Sequence, residues 1–492
     1  MMRQDLRQFT PKIITVLRDE KYGLMDFRAD AVAGITVAIV ALPLAMALAI
    51  ASGASPDKGL VTAVIAGFLI SLLGGSRVQI GGPTGAFVVV VFSVIAQHGY
   101  DGLVLATFMA GLILIIAGYA RLGQVIKYIP DPVVTGFTTG IAVIIASSQV
   151  KDFLGLQMSK VPADFFAKWQ AYFAAMDTAQ LATIVVGLSS LILILFLRKF
   201  APKVPGYLAA VIGASVLVTF LHIPVETIGS RFPDIPSGLP VPEIPDFSFD
   251  KMKAVLPSAF IIAFLAGIEA LLSAVVSDGM TGFRHRSNQE LVGQGVANIA
   301  SACFMGLPAT GAIARTATNV RAGGRSPVSG MLHAVFLLGF MMLASDVMKY
   351  VPLATLAAIL FVVAWGMSEL HRFRQIFMIS ASDRMVLILT FGLTVMVDLT
   401  VAIGVGVTLA SLLFMAQMSK TVEFSSSPND DIDQRVDLPK GVEVFNISGP
   451  VFFGVASELI DTLKRMGQMP KVLIVRMRYV PFLDASGVAA LQ

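Results

Sequence analysis

The sequence has few charged residues and few of the side chains that bind metals or act as nucleophiles. Only 14% of its 492 residues are charged, whereas soluble domains have roughly 25%. A single cysteine, Cys303, excludes an internal disulfide and a zinc site with several thiolate ligands. No metal-ligand cluster, paired nucleophile and base, or phosphate-binding loop is visible. We therefore expect no cofactor and no bound metal, and an enzyme is the least favoured class.

Apolar residues are abundant instead. Hydrophobic side chains make up 56% of the chain, and its mean hydropathy is +0.80. The first residues, "MMRQDLRQFTPKIITVLRDEKYG", are polar and charged, so they do not resemble a cleavable signal peptide. These features predict an all-α polytopic membrane protein that is surrounded largely by lipid.

Apolar runs long enough to enter a bilayer recur along most of the chain. We predict fourteen transmembrane segments as seven plus seven, in a transport domain at 32–419 that follows a cytoplasmic N-terminal segment at 1–31. The first repeat covers about 32–222 and the second about 255–419. The predicted segments are 33–52, 60–73, 85–96, 103–118, 133–148, 181–196, 207–221, 257–277, 291–304, 312–320, 328–343, 353–365, 385–397 and 401–418.

Lysine and arginine in the connections predict the orientation of the segments. With a cytoplasmic N-terminus, the short outer connections contain little positive charge beyond Lys58 and Lys349. The inner connections contain Arg77, Arg121, Lys127, Arg198, Lys199, Lys203, Arg284, Arg286, Arg321, Arg325, Arg372, Arg374 and Arg384. We therefore predict a multi-pass protein of the inner (plasma) membrane with both termini in the cytoplasm.

Two similar motifs interrupt the apolar segments: "GGPTGAF" at 81–87 and "GLPATGA" at 306–312. A second pair, "KYIP" at 127–130 and "KYVP" at 349–352, has nearly the same separation. In each pair one motif lies on the inner side when the other lies on the outer side. This pattern predicts inverted repeats, and paired segments broken by Gly and Pro indicate a binding site near the membrane midplane.

The breaks have a specific physical consequence. We expect extended stretches at 77–83 and 304–308, with short helices beginning at Thr84 or Gly85 and near Gly311. Two helix N-termini would then face each other at the midplane, each with unpaired N–H groups and about half a positive charge. Such an arrangement is suited to binding an anion.

Two ionisable residues fall inside predicted segments. Arg315 is expected to face a cavity, a counter-ion or an anionic substrate, or to be a structural residue paired with a carbonyl or carboxylate. Glu269 has apolar flanks, and a carboxyl there could exchange a proton during transport. The alternatives are a Glu269 that is always protonated and an ion pair with Arg315. Ser273 is one turn further along the same helical face.

The C-terminal part differs in composition. Residues 420–440 form a polar linker. Strand and helix patterns then alternate over 441–492, which predicts an α/β unit. The chain stops partway through a predicted helix, so we expect about half of a domain.

The membrane part resembles the sulfate permease (SulP) family of anion transporters. The resemblance is carried by "GITVAIVALPLAMALAIASGASPDKGL", "GGPTGAF", "DPVVTGFTTGIAV", "NQELVGQGVANI", "GAIARTATNVRAGGRSPVSG" and "VDLTVAIGVGV". It implies a core domain that holds the substrate and a gate domain. It also implies a substrate site and a coupling site made by the first, third, eighth and tenth segments. The implied substrate residues are Leu44, Thr84, Gly85, Ala86, Phe87, Ala312, Ile313, Ala314 and Arg315, and the implied coupling residues are Glu269 and Ser273.

Two departures from the family pattern affect function. Leu44 follows Pro43 where many members have Gln, so substrate selectivity cannot be transferred. Glu269 and Ser273 stand where bicarbonate-carrying members have Asp and Thr and bind sodium, so we favour protons over sodium. The C-terminal part resembles a STAS domain. "DASG" at 484–487 matches the loop that is phosphorylated in anti-sigma-factor antagonists, with Ser486 at the matching position, although a helix N-cap is the simpler interpretation.

We therefore predict a secondary active transporter of a small inorganic or organic anion of the sulfate, bicarbonate or dicarboxylate class. Proton-coupled symport by alternating access is favoured over sodium coupling. The alternatives are a channel-like anion conductor on the same fold and, less favoured, a nucleobase permease. The expected partners are the anion, the proton, the lipid bilayer and a second copy of the chain in a homodimer, and no nucleic acid.

Overall fold

The computed structural model is mainly helical. It describes residues 8–20, 22–124, 130–158, 161–162, 164–202, 204–233, 236, 238–397, 399–425, 442–465 and 470–492. The helices before the second motif are α1 Lys12–Asp19, α2 Leu24–Ala51, α3 Pro56–Leu73, α4 Phe87–Tyr119, α5 Asp131–Leu154, α6 Phe165–Ala174, α7 Leu181–Phe200, α8 Gly206–Phe220, α9 Ile228–Arg231, α10 Phe249–Thr281 and α11 Ser287–Cys303. Those after it are α12 Ile313–Arg321, α13 Pro327–Met348, α14 Leu353–Met367, α15 Leu370–Ile379, α16 Ala381–Met396, α17 Leu399–Ser419, α18 Phe453–Arg465 and α19 Ala485–Leu491.

Nine helices in the described part of the chain are long and apolar enough to cross a membrane. Each predicted segment overlaps a helix. The segments predicted at 85–96 and 103–118 both lie in α4, which is interrupted at Gly99 with φ 71°. Helix α2 begins at Leu24, inside the N-terminal segment predicted at 1–31. Lys127, Lys203 and most of the 127–130 motif lie outside the described residues.

The long helices pack as two groups. The first group contains α2, α3, α4, α10, α11, α12 and α13, and the second contains α5, α7, α8, α14, α16 and α17. Within the first group α4 packs on α10 and α11, while α13 packs on α2 and α3. The groups meet mainly where α2 contacts α14 and α8.

Glycines allow a close helix crossing in the first group. Gly111 of α4 and Gly295 of α11 face each other, so a Cβ on Gly295 would lie 2.5 Å from the carbonyl oxygen of Gly111. A Cβ on Gly111 would lie 2.6 Å from the carbonyl oxygen of Gly295. The two backbones are therefore too close for any side chain at either position.

The two broken motifs form a short antiparallel sheet with each other. Strand β1 is Gly81–Gly82 and strand β2 is Thr310–Gly311. Gly81 pairs with Gly311 and Gly82 with Thr310. The amide of Ala312 also donates to the carbonyl of Ile80 at 2.8 Å. The extended backbone of each motif is thus hydrogen-bonded by the other.

A buried carboxylate fixes the chain that leads into β1. Glu290 of α11 is fully buried, and its Oε2 accepts from the amides of Gly75 at 2.8 Å and Ser76 at 2.9 Å. Its Oε1 accepts from Gln294 Nε2 at 2.8 Å. Carboxylate hydrogen bonds to backbone amides are stronger than neutral ones. Glu290 therefore anchors the segment between α3 and β1 to the helix beneath it.

Asp30 of α2 holds the connection after α12 in the same way. It is fully buried, and its Oδ1 accepts from the amides of Arg325 at 2.6 Å and Ser326 at 3.1 Å. Its Oδ2 accepts from the hydroxyls of Ser326 and Tyr22. The segment before β1 and the connection after α12 are therefore both tied to long helices.

The C-terminal unit contains a three-stranded sheet in the order β3–β4–β5. Its strands are Glu423–Ser425, Val442–Ser448 and Val472–Tyr479, with β4 parallel to β5 and antiparallel to β3. A small apolar cluster that includes Phe445 and Leu459 joins the sheet to α18. The first strand lies within the linker predicted at 420–440, so the folded unit includes residues before 441.

The glycine crossing generates a stability prediction. Gly295→Ala should destabilise the protein by about 1–3 kcal/mol, because the added methyl group forces α4 and α11 apart. The measurement is the melting temperature of the detergent-solubilised protein. Gly339→Ala on α13 is the matched control, since no atom lies within 4 Å of the position of its Cβ. Equal melting temperatures for the two variants would contradict this account of the crossing.

Candidate functional site

The candidate site is built where two helices begin directly after the strand pair. Helix α4 begins at Phe87, two or three residues later than the sequence predicts, and α12 begins at Ile313, about two residues later. Neither helix has a side-chain cap at its first turn. Because the two strands are antiparallel, α4 follows one end of the short sheet and α12 follows the other end.

Several backbone amides at these helix ends have no acceptor. In the described part of the chain, the amides of Gly85 and Ala86 donate to no group, and neither do those of Ile313, Ala314 and Arg315. Unpaired N–H groups at a helix N-terminus attract negative charge. Ile313 is 39% exposed, and Ala314 is also exposed, so this turn of α12 borders open space.

Helix α10 supplies polar side chains to both motifs. The hydroxyl of Thr84 donates to Glu269 Oε2 at 2.8 Å, which places the carboxyl beside the free amides at the start of α4. Ser273 Oγ lies 3.3 Å from Thr316 Oγ1, and that hydroxyl accepts from the amide of Ile80 at 3.0 Å. Glu269 therefore contacts the first motif and Ser273 contacts the helix that follows the second motif, although they share one face of α10.

Arg315 points toward the first motif. Its side chain is 2% exposed, and its Nη2 donates to the carbonyl oxygen of Pro83. A Cβ on Gly82 would lie 2.5 Å from Arg315 Nη1. Nε and Nη1 are buried and have no hydrogen-bond partner in the described structure. Arg315 forms no ion pair with Glu269, so that alternative interpretation of the two buried charges is wrong.

The remaining residues predicted to bind substrate are mainly apolar. Leu44 is 7% exposed and lies in the same buried apolar cluster as Ala86 and Phe87. A Cβ on Gly85 would contact Met367 of α14 and Ile145 of α5, so the start of α4 touches the second helix group. Ala312 is 7% exposed and immediately precedes α12. The structure thus brings the residues predicted on α4, α10 and α12 together around the strand pair.

One ionisable residue beside the site was missed by the sequence analysis. His333 of α13 is fully buried, and neither ring nitrogen has a hydrogen-bond partner among the described residues. A Cβ on Gly67 would lie 4.0 Å from His333 Nδ1 and 3.0 Å from the carbonyl oxygen of Gly81, so the ring lies beneath β1. A histidine inside an apolar predicted segment is a detectable signal, because such residues are rare in membranes.

Ser486 lies far from this site in the sequence, in the C-terminal unit. Asp484 is the N-cap of α19 and accepts from the amide of Gly487 at 2.8 Å. Its second oxygen accepts from the amide of Phe453 at 3.0 Å. Ser486 is half-buried in the first turn. The aspartate therefore provides the cap in "DASG".

The site has the chemistry of a receptor for a small anion. It combines five free backbone amides, the buried guanidinium of Arg315 and the carboxyl of Glu269. That carboxyl accepts a hydrogen bond from Thr84 in the first motif. No group of three or more His, Cys, Asp or Glu side chains in the described residues could hold a metal ion. Arg315 contacts Pro83 and Glu269 contacts Thr84, so both charged side chains reach the first motif.

Comparison with known proteins agrees with this chemistry. A sequence model described as the Sulfate permease family matches residues 27–390. "Putative sulfate transporter YvdB" of Bacillus subtilis is 42% identical over 476 residues, which cover 96% of this chain and 90% of that protein. "Bicarbonate transporter BicA" of Picosynechococcus sp. is 32% identical over 493 residues, which cover 96% and 87%.

Two solved structures share the fold. The transmembrane domain of a cyanobacterial bicarbonate transporter BicA aligns with a TM-score of 0.70 and 33% identity, covering 77% of this chain and 98% of that one. The murine Slc26a9 anion transporter aligns with a TM-score of 0.87 and 18% identity, covering 99% and 86%, which shows the fold alone. The broken-helix site, the sequence match and the shared transmembrane fold lead to one conclusion: this membrane protein belongs to the sulfate permease family.

Proposed function

We propose that the protein is a secondary active transporter of small anions, of the sulfate, bicarbonate or dicarboxylate class. The anion binds between the N-termini of α4 and α12, which are the third and tenth predicted segments. The single observation that carries this proposal is the set of free amides at Gly85, Ala86, Ile313, Ala314 and Arg315. Related proteins named as sulfate and bicarbonate transporters support the substrate class.

The position of Glu269 supports coupling to protons. Thr84 binds the carboxyl directly and is followed in sequence by the free amides of Gly85 and Ala86. A carboxylate there repels an anion on those amides by about 3 kcal/mol, for a separation of roughly 6 Å and an effective dielectric near 20. A proton on Glu269 removes this repulsion. Anion and proton therefore bind together, which is the requirement for symport.

The helix packing supports transport by alternating access. We assign the first helix group as the core domain and the second as the gate domain of a 7+7 inverted repeat with fourteen spans. The start of α4 contacts Ile145 and Met367 of the second group, so the site lies where the groups could move relative to each other.

The positive charge of the inner connections supports cytoplasmic termini and the inner membrane. We also propose that two copies of the chain form a homodimer.

The C-terminal unit is proposed to belong to a cytoplasmic STAS domain. Its support is a sheet with two parallel strands and two helices packed on it, which is the α/β pattern expected from the sequence. Ser486 remains the proposed regulatory phosphosite.

The function is tested by uptake of labelled sulfate, bicarbonate and a dicarboxylate into proteoliposomes. Each substrate is measured with and without an inward proton gradient, and with sodium replaced by potassium. We expect one class of anion to accumulate against its gradient when the proton gradient is present, independently of sodium. Sodium-dependent accumulation would assign coupling to sodium. Unitary currents without accumulation would identify a channel.

Coupling predicts the effect of neutralising Glu269. Glu269→Gln should abolish proton-driven accumulation and retain anion exchange, because Gln keeps the shape and remains neutral at every pH. The matched control is Asp250→Asn, which removes an exposed carboxyl from the first turn of the same helix. A Glu269→Gln protein that concentrates the anion with normal pH dependence would assign the proton to another group.

Arg315 predicts selection by ligand charge. Arg315→Ala should weaken a divalent anion more than a monovalent one, because the lost fixed charge acts twice as strongly on a dianion. Arg315→Lys should restore only part of the affinity, since it lacks the planar fork. Uptake KM for both anions is measured beside Arg321→Ala, which removes an exposed arginine from the last turn of the same helix. An equal loss of affinity for the monovalent and the divalent anion would indicate that Arg315 has a structural role only.

The C-terminal unit should be dispensable for transport. A chain that ends at Lys420 retains both helix groups and every residue of the site, so uptake should remain measurable. Size-exclusion chromatography must give a monodisperse membrane domain before uptake is compared with that of the full chain. Complete loss of uptake in such a preparation would give the unit a direct role in transport.

A further inference from the structure

A lysine outside the site is buried without a polar partner. Lys168 lies on α6, in the connection between α5 and α7, and is 4% exposed. Its ammonium is 5.8 Å from the centroid of the Phe92 ring on α4. Among the described residues it forms no hydrogen bond and no ion pair. A charge on a side chain that is largely removed from water is costly without a polar partner, so the ammonium would gain from a counter-ion bound there.

Asp164 is the acidic residue whose charge acts on Lys168, and Asp152 acts on Tyr172 of the same helix. Asp164 Oδ1 accepts from the amide of Ala167 at 2.9 Å as the N-cap of α6. Asp152 forms a bidentate pair with Arg231, with distances of 3.1 and 2.7 Å. Burial lowers the pKa of the Lys168 amine, while the charge of Asp164 opposes this effect. A bound anion would favour the ammonium form further.

The position of Lys168 connects it to the candidate site. Phe92 is five residues beyond Phe87, about 7.5 Å along the axis of the helix that carries the free amides. Helix α6 is held to α5 of the second group, since Trp169 Nε1 donates to Ser147 Oγ at 3.3 Å. The ammonium therefore lies between α4 of the first group and a helix attached to the second.

We propose that Lys168 forms a second binding site for a small inorganic anion, one to two turns of α4 from the central site. The role of this site, to bind the transported anion before it reaches the central site, rests on the proposed function. Binding at Lys168 itself does not require transport. The ammonium supplies the charge, and the Phe92 ring lies on one side of it.

Binding can be measured without transport, because Trp169 is next to Lys168 and the chain has only two tryptophans. In the full-length Trp365→Phe protein, Trp169 is the only indole. Sodium sulfate and sodium iodide are titrated at constant ionic strength, with sodium gluconate as the balancing salt. We expect a saturable change in Trp169 emission that weakens at least tenfold in Lys168→Gln and Lys168→Met and is retained in Lys168→Arg.

The matched control is Lys151→Gln in the same background. Lys151 is on α5, and its ammonium already donates to the carbonyl of Met158 at 3.2 Å, so removing it should leave the titration unchanged. Quenching by neutral acrylamide should be the same in every variant, which shows that the surroundings of Trp169 are intact. If the anion-dependent change in Trp169 emission is the same with and without Lys168→Met, the proposed site is wrong. The same holds if Lys151→Gln weakens that response as much as Lys168→Met does.

Arg315→Ala separates the two sites. If the Trp169 response survives that substitution, the anion binds at Lys168 independently of the central site. If the response is lost with Arg315→Ala and kept with Lys168→Gln, it reports the central site and the inference is wrong. A protein that shows the Lys168-dependent response without accumulating any anion would overturn the proposed transport and retain the site.

Discussion

The pairing of β1 with β2 is the contact on which the rest of the site depends. Extended backbone at membrane depth is tolerated only where other protein groups or water satisfy its N–H and C=O groups. Here each motif satisfies the other through Gly81, Gly82, Thr310 and Gly311. Because the strands are paired, the helices after them can begin in the interior of the protein with their first amides free.

Small residues make this pairing possible. Gly82 has φ 146°, a conformation that side chains rarely adopt, and the guanidinium of Arg315 occupies the space where its Cβ would lie. A Cβ on Gly311 would overlap the side chain of Gln79. The buried carboxylates Glu290 and Asp30 fix the segments around the sheet by hydrogen bonds to backbone amides. Hydrogen bonds to buried carboxylates therefore hold the backbone before β1 and after α12 in place.

The two buried charged side chains at the site contact different groups. Free amides and Arg315 provide positive potential, and Glu269 is the negative group placed beside them without forming an ion pair to Arg315. If the two had paired, each would have neutralised the other, and an anion would gain little from either. Because they are separate, the proposed function can give them different roles, with Arg315 attracting the anion and Glu269 carrying the proton.

The sequence by itself determined the membrane class, the positions of the helices and the two breaks at 81–87 and 306–312, because hydropathy and Gly–Pro motifs are local properties. It also identified Glu269 and Arg315, since a carboxyl or a guanidinium is conspicuous in an apolar segment, whereas His333 was missed. Only the tertiary structure decided their partners. Thr84 and Glu269 are 185 residues apart in sequence, and Arg315 and Pro83 are 232 apart. Such contacts depend on how the helices cross, which no local pattern encodes, and this is also why Glu290 and Lys168 gained their significance only from the folded chain.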